Sequence, residues 1–235
     1  MKSYVSFSST DKDVRLVGEG GNSRIYILER EYNGMLSAAI KVPKAFVDCH
    51  VTKALENYHM LKNVGIKTTA FLEECLFDGQ RALITENLHK EGYVYLDANA
   101  HLQTEADRML MELDHRYGEI HSEKEPEEER WFTDNKFEMI TNFTTFVKEH
   151  LASMERISEA QIYLAYDCYF FKVERKKVTD IDYIIADWDD IQRYDEDDLY
   201  EHNKDAFNTA IRQFVDNYVD EMSAGMYFDF LKEMR

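Results

Sequence analysis

Charged side chains interrupt apolar runs at three points of this sequence. Lys41 lies within AAIKVP, Asp167 lies within IYLAYDCYFFKV, and Asp187 and Asp189 follow the apolar residues YIIA. A charge in an apolar run is costly to bury unless an opposite charge or a ligand stabilises it. Each of these side chains is therefore a candidate for binding or catalysis. The simpler alternatives are a strand-edge lysine with its ammonium in water and acids on exposed loops.

Asp187 and Asp189 have the spacing of a metal-binding pair. Side chains at i and i+2 of an extended chain project to the same side. Two carboxylates on one side suit Mg²⁺, which combines a few carboxylates with phosphate and water. Asp187 is the stronger candidate, because an acidic loop that runs on into Asp190 also explains Asp189.

A glycine-rich stretch, LVGEGGNSRIYIL, precedes Lys41. A dinucleotide-binding glycine loop leads into a helix. This stretch leads instead into a predicted strand, and Asn33-Gly34 predicts a hairpin turn after it that reverses the chain direction. A glycine loop between antiparallel strands can fold over a triphosphate, because Gly18 and Gly20 allow the backbone to approach phosphate oxygens closely. Ile25 then lies on the strand over the base.

The remaining patterns predict the elements that position these residues. Strands are expected over 14–42 and around Asp78-Gly79, with a helix between them that ends at Gly65. Helices are expected over 104–121, 136–154 and 203–222, with two strand-like segments around Asp167 and before Asp187. The sequence therefore predicts an α+β chain of two lobes, a β-rich lobe over 1–88 and a helix-rich lobe over 89–235.

In this order the motifs resemble the protein-kinase-like superfamily, including its small-molecule (aminoglycoside and choline type) phosphotransferases. The resemblance implies ATP and Mg²⁺ as cofactors, a hydroxyl-bearing acceptor, an antiparallel sheet in the first lobe and a truncated helical second lobe. The resemblance also implies the role of each site residue. Gly18, Gly20 and Ser23 bind the phosphates, and Lys41 contacts them with Glu56 as its carboxylate partner. Ile25, Thr85 and the backbone of Glu86 to Leu88 surround the adenine, Asp167 is the catalytic residue at the acceptor, and Asp187 with Asp189 binds the metal.

Two positions depart from that family. Ala165 replaces a His or Tyr two residues before the catalytic Asp, and Lys172 replaces the metal-binding Asn five residues after it. An ammonium is only a donor and cannot bind Mg²⁺. Three interpretations stay open: a phosphotransferase, a pseudokinase that binds or regulates without catalysis, and an unrelated α+β protein.

The composition excludes some function classes. Lys and Arg number 28 against 46 Asp and Glu, a formal net charge of −18, which argues against a duplex nucleic-acid partner. Three cysteines without a Cys-x-x-Cys pair predict free thiols in a reducing compartment. No apolar run is long enough for a membrane span, so we expect a cytoplasmic protein with no membrane partner.

Overall fold

A computed structural model of the chain describes residues 4–44, 48–95, 137–174, 180–189, 191–194, 197–218 and 221–233. Strands and helices are mixed along these ranges, and the predicted α+β class is confirmed. The helix predicted over 104–121 lies outside the described residues. None of the helices in the described ranges combines the length and the apolar character of a membrane span.

The first part of the chain forms a six-stranded sheet. Its strands are β1 (Val5–Phe7), β2 (Val14–Glu19), β3 (Ser23–Leu28), β4 (Ala38–Pro43), β5 (Phe71–Phe77) and β6 (Gln80–Glu86). Their order in the sheet is β1-β5-β6-β4-β3-β2, and every neighbouring pair is antiparallel except β1 with β5. The sheet thus places the glycine stretch at one edge and Lys41 near its centre.

Two tight turns connect neighbouring strands of this sheet, as the sequence predicts. Asn33 and Gly34 have φ of 49° and 82°, and Asp78 and Gly79 have φ of 48° and 81°. A two-residue hairpin turn with both φ positive matches the twist of its strands, which explains the Asn-Gly and Asp-Gly pairs.

Helix α1 (Asp48–Asn63) connects β4 to β5 and ends where Gly65 adopts a φ of 73°. The chain then runs beside the later strand β10 (Asp180–Ile185). Thr68 bridges Ile185 in parallel, the Ile185 N–H donates to the Lys67 carbonyl, and the Thr69 N–H donates to the Ile185 carbonyl at 3.1 Å each. This bridge ties the end of β10 to the segment that follows α1.

The second part of the chain combines helices with short sheets. Residues 137–159 are helical (α2). A three-stranded antiparallel sheet has the order β10-β9-β7, where β7 is Val94–Tyr95 and β9 is Tyr169–Glu174. β8 (Ile162–Tyr163) pairs with β11 (Gln192–Arg193), and α3 (Leu199–Tyr218) and α4 (Glu221–Glu233) complete the fold.

The largest hydrophobic core joins α1 to the second part of the chain. Val51, Ala54 and Leu61 of α1 belong to the same buried cluster as Phe143 of α2 and Phe207 of α3. A smaller core covers the six-stranded sheet. This packing holds α1 against the end of β10, where the two sequence-predicted metal ligands follow.

Candidate functional site

Lys41 joins the two acids that follow β10. Its ammonium forms an ion pair with Asp187 Oδ1, although the two residues are 146 positions apart. The same Nζ lies 3.0 Å from Asp189 Oδ2. The three side chains are 11% to 22% exposed. One cation therefore touches both carboxylates in a largely desolvated place, where charges interact more strongly than in water.

The charge of Lys41 is stabilised by this pairing. Burial alone lowers the pKa of its ammonium, but the carboxylates of Asp187 and then Asp189 outweigh burial, so the pKa is raised above its ordinary value. Lys41 therefore stays protonated at neutral pH.

The glycine stretch meets the same acids through Ser23. The Ser23 hydroxyl donates to Asp189 Oδ2 at 3.0 Å, 166 positions away in the chain. Ser23 is buried at the start of β3. Gly18 and Lys41 are both cross-strand partners of Ile25, on β2 and β4 respectively. The sheet register alone thus places the glycine stretch beside the lysine.

Gly18 and Gly20 border open space. A Cβ added at Gly18 meets no heavy atom within 4 Å, and one at Gly20 meets only the Ser23 carbonyl oxygen, at 4.0 Å. Neither has the positive φ that favours glycine. The packing of the described residues does not require glycine at these two positions.

Asp167 lies in the short turn that leads into β9, the strand that pairs with β10. Tyr169 pairs with Ile185, and the Ala186 N–H donates to the Cys168 carbonyl at 3.1 Å. The Cys168 thiol donates to the Asp187 carbonyl at 3.7 Å, so Asp167 is one residue away in the chain from a contact with Asp187. Asp167 is partly buried in a short 3₁₀ turn, Tyr166–Cys168.

Lys41 pairs with acids other than Glu56, the partner that the resemblance implies. Glu56 is exposed on α1, and within the described residues the carboxylates that pair with Lys41 are those of Asp187 and Asp189. The physical reason is the rotation of α1 about its axis, which directs Glu56 to solvent and the next residue inward.

Lys172 occupies the position where the resemblance implies a metal-binding residue, but it lies in a strand. It lies inside β9, across from Asp182 of β10, and its ammonium lies 4.7 Å from the centre of the Tyr93 ring. β9 begins at Tyr169, two residues after Asp167, so Lys172 already lies within the strand.

The residues expected around the adenine surround the end of β6. The Glu86 N–H donates to the Ala70 carbonyl at 3.1 Å, and its carboxylate accepts the Ala70 N–H at 2.8 Å. The Thr85 hydroxyl donates to the Glu86 carbonyl at 3.2 Å. Leu88 is buried in a small apolar cluster with Tyr93 and Ile184, against which Phe170 and Ala186 pack.

Sequence reasoning missed Asn57 and Thr68, which hold the backbone around the acids. The Asn57 amide donates to the Trp188 and Ile191 carbonyls, and the Thr68 hydroxyl donates to the Ile185 carbonyl. A signal for Asn57 was present, because it lies three residues after Ala54 and four before Leu61, on the apolar face of α1.

Asp187 and Asp189 are two candidate metal ligands, without a third such side chain grouped with them in the described residues. No group of three or more His, Cys, Asp or Glu side chains suited to a metal occurs within the ranges that the structure describes. Asp187 and Asp189 nevertheless supply the hard oxygen atoms that Mg²⁺ prefers. The Lys41 ammonium between them shows that both carboxylates reach one cation.

The chain was also compared with known proteins. No protein-family model matches it, and no curated protein is significantly similar to it.

Proposed function

We propose that this chain is an ATP- and Mg²⁺-dependent phosphotransferase with a two-lobed, protein-kinase-like fold, and that its acceptor carries a hydroxyl group. The observation that carries the proposal is the ion pairing of Lys41 with Asp187 and Asp189, although Lys41 and Asp187 are 146 positions apart in the chain.

Asp187 and Asp189 are the residues that hold Mg²⁺ in this proposal. The donor set fits, because the two carboxylates already share one cation, the Lys41 ammonium. When bound, Mg²⁺ neutralises phosphate charge and fixes the phosphate geometry. Lys41 then contacts the α- and β-phosphates.

The glycine stretch is the proposed phosphate cradle. The open space beside Gly18 and Gly20 supports this role, since those glycines are not explained by packing inside the fold. Ser23 stands close enough to the acids to contact a phosphate oxygen at the same site. The adenine is assigned to the neighbourhood of Leu88, which lies in a buried apolar cluster against which Ala186, the residue before Asp187, packs.

Asp167 is the proposed partner of the acceptor. The acceptor oxygen attacks the γ-phosphorus, the bond from that phosphorus to the departing ADP oxygen breaks, and the hydroxyl proton passes to the Asp167 carboxylate. The contact of its neighbour Cys168 with the Asp187 carbonyl supports this role. Most of the rate enhancement then comes from positioning and charge neutralisation.

A second function, nucleotide binding without phosphoryl transfer, is favoured by the placement of Lys172. The residue five positions after Asp167 supplies no metal ligand and lies over Tyr93 instead. In that case the same site belongs to a regulatory or binding protein, a pseudokinase.

A thermal-shift measurement with ATP tests the proposal. The variants are wild type, Lys41→Ala, and Lys204→Ala as a control, because Lys204 lies on α3 and its ion pair within the described residues is with Glu201, one turn away. We expect Mg²⁺-dependent stabilisation of wild type and of the control. ATP at a hundred times its Kd adds about 2.7 kcal/mol, roughly 5–10 °C for a chain of this size.

Loss of the shift in Lys41→Ala supports the proposed site. No shift of wild type under any condition contradicts both functions. Stabilisation without ADP formation over a broad panel of hydroxyl acceptors selects the pseudokinase.

A further inference from the structure

One side chain of α1 is built into the turn that carries the acid pair. Asn57 is 7% exposed, and its amide nitrogen donates to the Trp188 carbonyl at 2.7 Å and to the Ile191 carbonyl at 3.1 Å. These two carbonyls lie on either side of Asp189. A single NH₂ group therefore binds the backbone before and after one of the two acids.

Trp188, between the two acids, is fixed from a second direction. It is 1% exposed, and its Nε1 donates to the Thr68 hydroxyl at 2.7 Å. That hydroxyl donates in turn to the Ile185 carbonyl at 2.7 Å. The Tyr58 ring packs on Trp188 with 4.8 Å between ring centres. The indole thus anchors the turn in the core, while its two neighbours face Lys41.

We infer that Asn57 is a positioning residue, through which α1 sets the spacing of the Asp187 and Asp189 carboxylates. Glu56 of α1 is exposed, so α1 contacts the site through Asn57 and the backbone around Asp189, and not through an ion pair with Lys41. The expected effect of Asn57 on nucleotide binding rests on the proposed function, whereas its hydrogen bonds to the turn at Trp188 and Ile191 do not.

The chemistry of the asparagine side chain explains why this residue type is needed. Only a side chain with two N–H donors on one nitrogen can serve both carbonyls at once. Alanine leaves two buried carbonyls without this donor, and glutamine displaces the amide by one methylene. Both substitutions are expected to loosen the turn, glutamine less than alanine.

The test uses Trp188 as its own reporter. The chain has two tryptophans, so Trp131→Phe leaves Trp188 as the single emitter. In that background we compare Asn57→Ala and Asn57→Gln with Glu56→Gln, a matched control at the exposed neighbouring position. Acrylamide quenching without any ligand reports on the turn, and electron paramagnetic resonance of Mn²⁺ with ATP reports on the acid pair.

We expect both Asn57 variants to raise the quenching constant at least twofold and to weaken Mn²⁺·ATP binding at least tenfold. The Glu56→Gln control should stay within twofold on both. The measurements are made well below each variant's Tm, so that unfolding does not contribute. If Asn57→Ala does not fold, Asn57→Gln carries the comparison.

Unchanged quenching in a folded Asn57 variant overturns the inference. So does raised quenching with unchanged Mn²⁺·ATP affinity. If the wild type itself does not bind Mn²⁺·ATP, the proposed function fails, and quenching alone decides whether Asn57 holds the turn.

Discussion

Acid should destabilise this protein through one buried histidine. His150 of α2 is 1% exposed. Its ring stacks on Phe207 with 3.6 Å between centres, meets Tyr183 edge-on at 4.7 Å, and places Nε2 3.5 Å from the Tyr169 hydroxyl. Burial among these rings disfavours the imidazolium and lowers the pKa of His150 to about 3.

The size of the effect follows from the difference in proton binding. The unfolded chain protonates His150 near pH 6.5 and the folded chain near pH 3, so stability is full above pH 6.5 and is lost as the pH falls. The loss begins near pH 6.5 and amounts to about 1.4 kcal/mol for each pH unit below it. Lowering the pH from 7 to 5 therefore removes about 2 kcal/mol from the unfolding free energy. For a chain of this size the corresponding fall in Tm is roughly 4–8 °C.

Urea unfolding at pH 7 and pH 5 measures this loss. His150→Phe keeps a neutral ring of similar shape, so its unfolding free energy should change between the two pH values by about 2 kcal/mol less than that of wild type. His59→Asn, an exposed position on α1, serves as the control and should follow wild type. Carboxylates contribute equally to all three proteins. Equal pH dependence in wild type and His150→Phe would refute the reasoning.

Two further predictions concern the site. Gly20→Ala should change the unfolding free energy by less than about 0.5 kcal/mol, because its added Cβ meets open space. It should nevertheless weaken ATP binding, because the Cβ occupies space proposed for the phosphates. Gly79→Ala, at a φ of 81°, should lower the unfolding free energy by about 1 kcal/mol and leave ATP binding unchanged. Urea unfolding and calorimetric titration check both, and a large stability loss at Gly20 would contradict the expected open space. Lys41→Met should destabilise the fold by about 3 kcal/mol, since two partly buried carboxylates lose their cation. Adding Asp187→Asn should restore part of that loss, and a further loss of full size would argue against the shared ion pair.

Elements that depend on local conformation could be predicted from the sequence. Asn33-Gly34 and Asp78-Gly79 specify turns through their own φ preferences, and both hairpins form as predicted. The helix after Lys41 was predicted through its periodicity and its terminal glycine. β1 was not predicted, because three residues that pair in parallel with β5 carry no local pattern of their own.

The partners within the site were harder to predict. That Lys41 needs a carboxylate follows from its apolar neighbours, but which one depends on the rotation of α1. Glu56 and Asn57 lie about 100° apart around the helix, so packing in the core decides which of them faces inward. Likewise, the spacing from Asp167 to Lys172 predicts a pair of site residues only if the chain forms a loop between them, whereas β9 begins at Tyr169 and carries Lys172 into the sheet.

Titration of Mg²⁺·ATP by isothermal calorimetry is the measurement that tests the proposed site most directly. Wild type, Lys41→Met and Asp187→Asn are compared, with Lys204→Ala as the control. We predict binding to wild type and to the control, and at least tenfold weaker binding to each site variant, since each loses a charge-assisted contact to the phosphates or the metal. Absence of binding to wild type, or equal affinity in all four proteins, would contradict a nucleotide site at Lys41, Asp187 and Asp189.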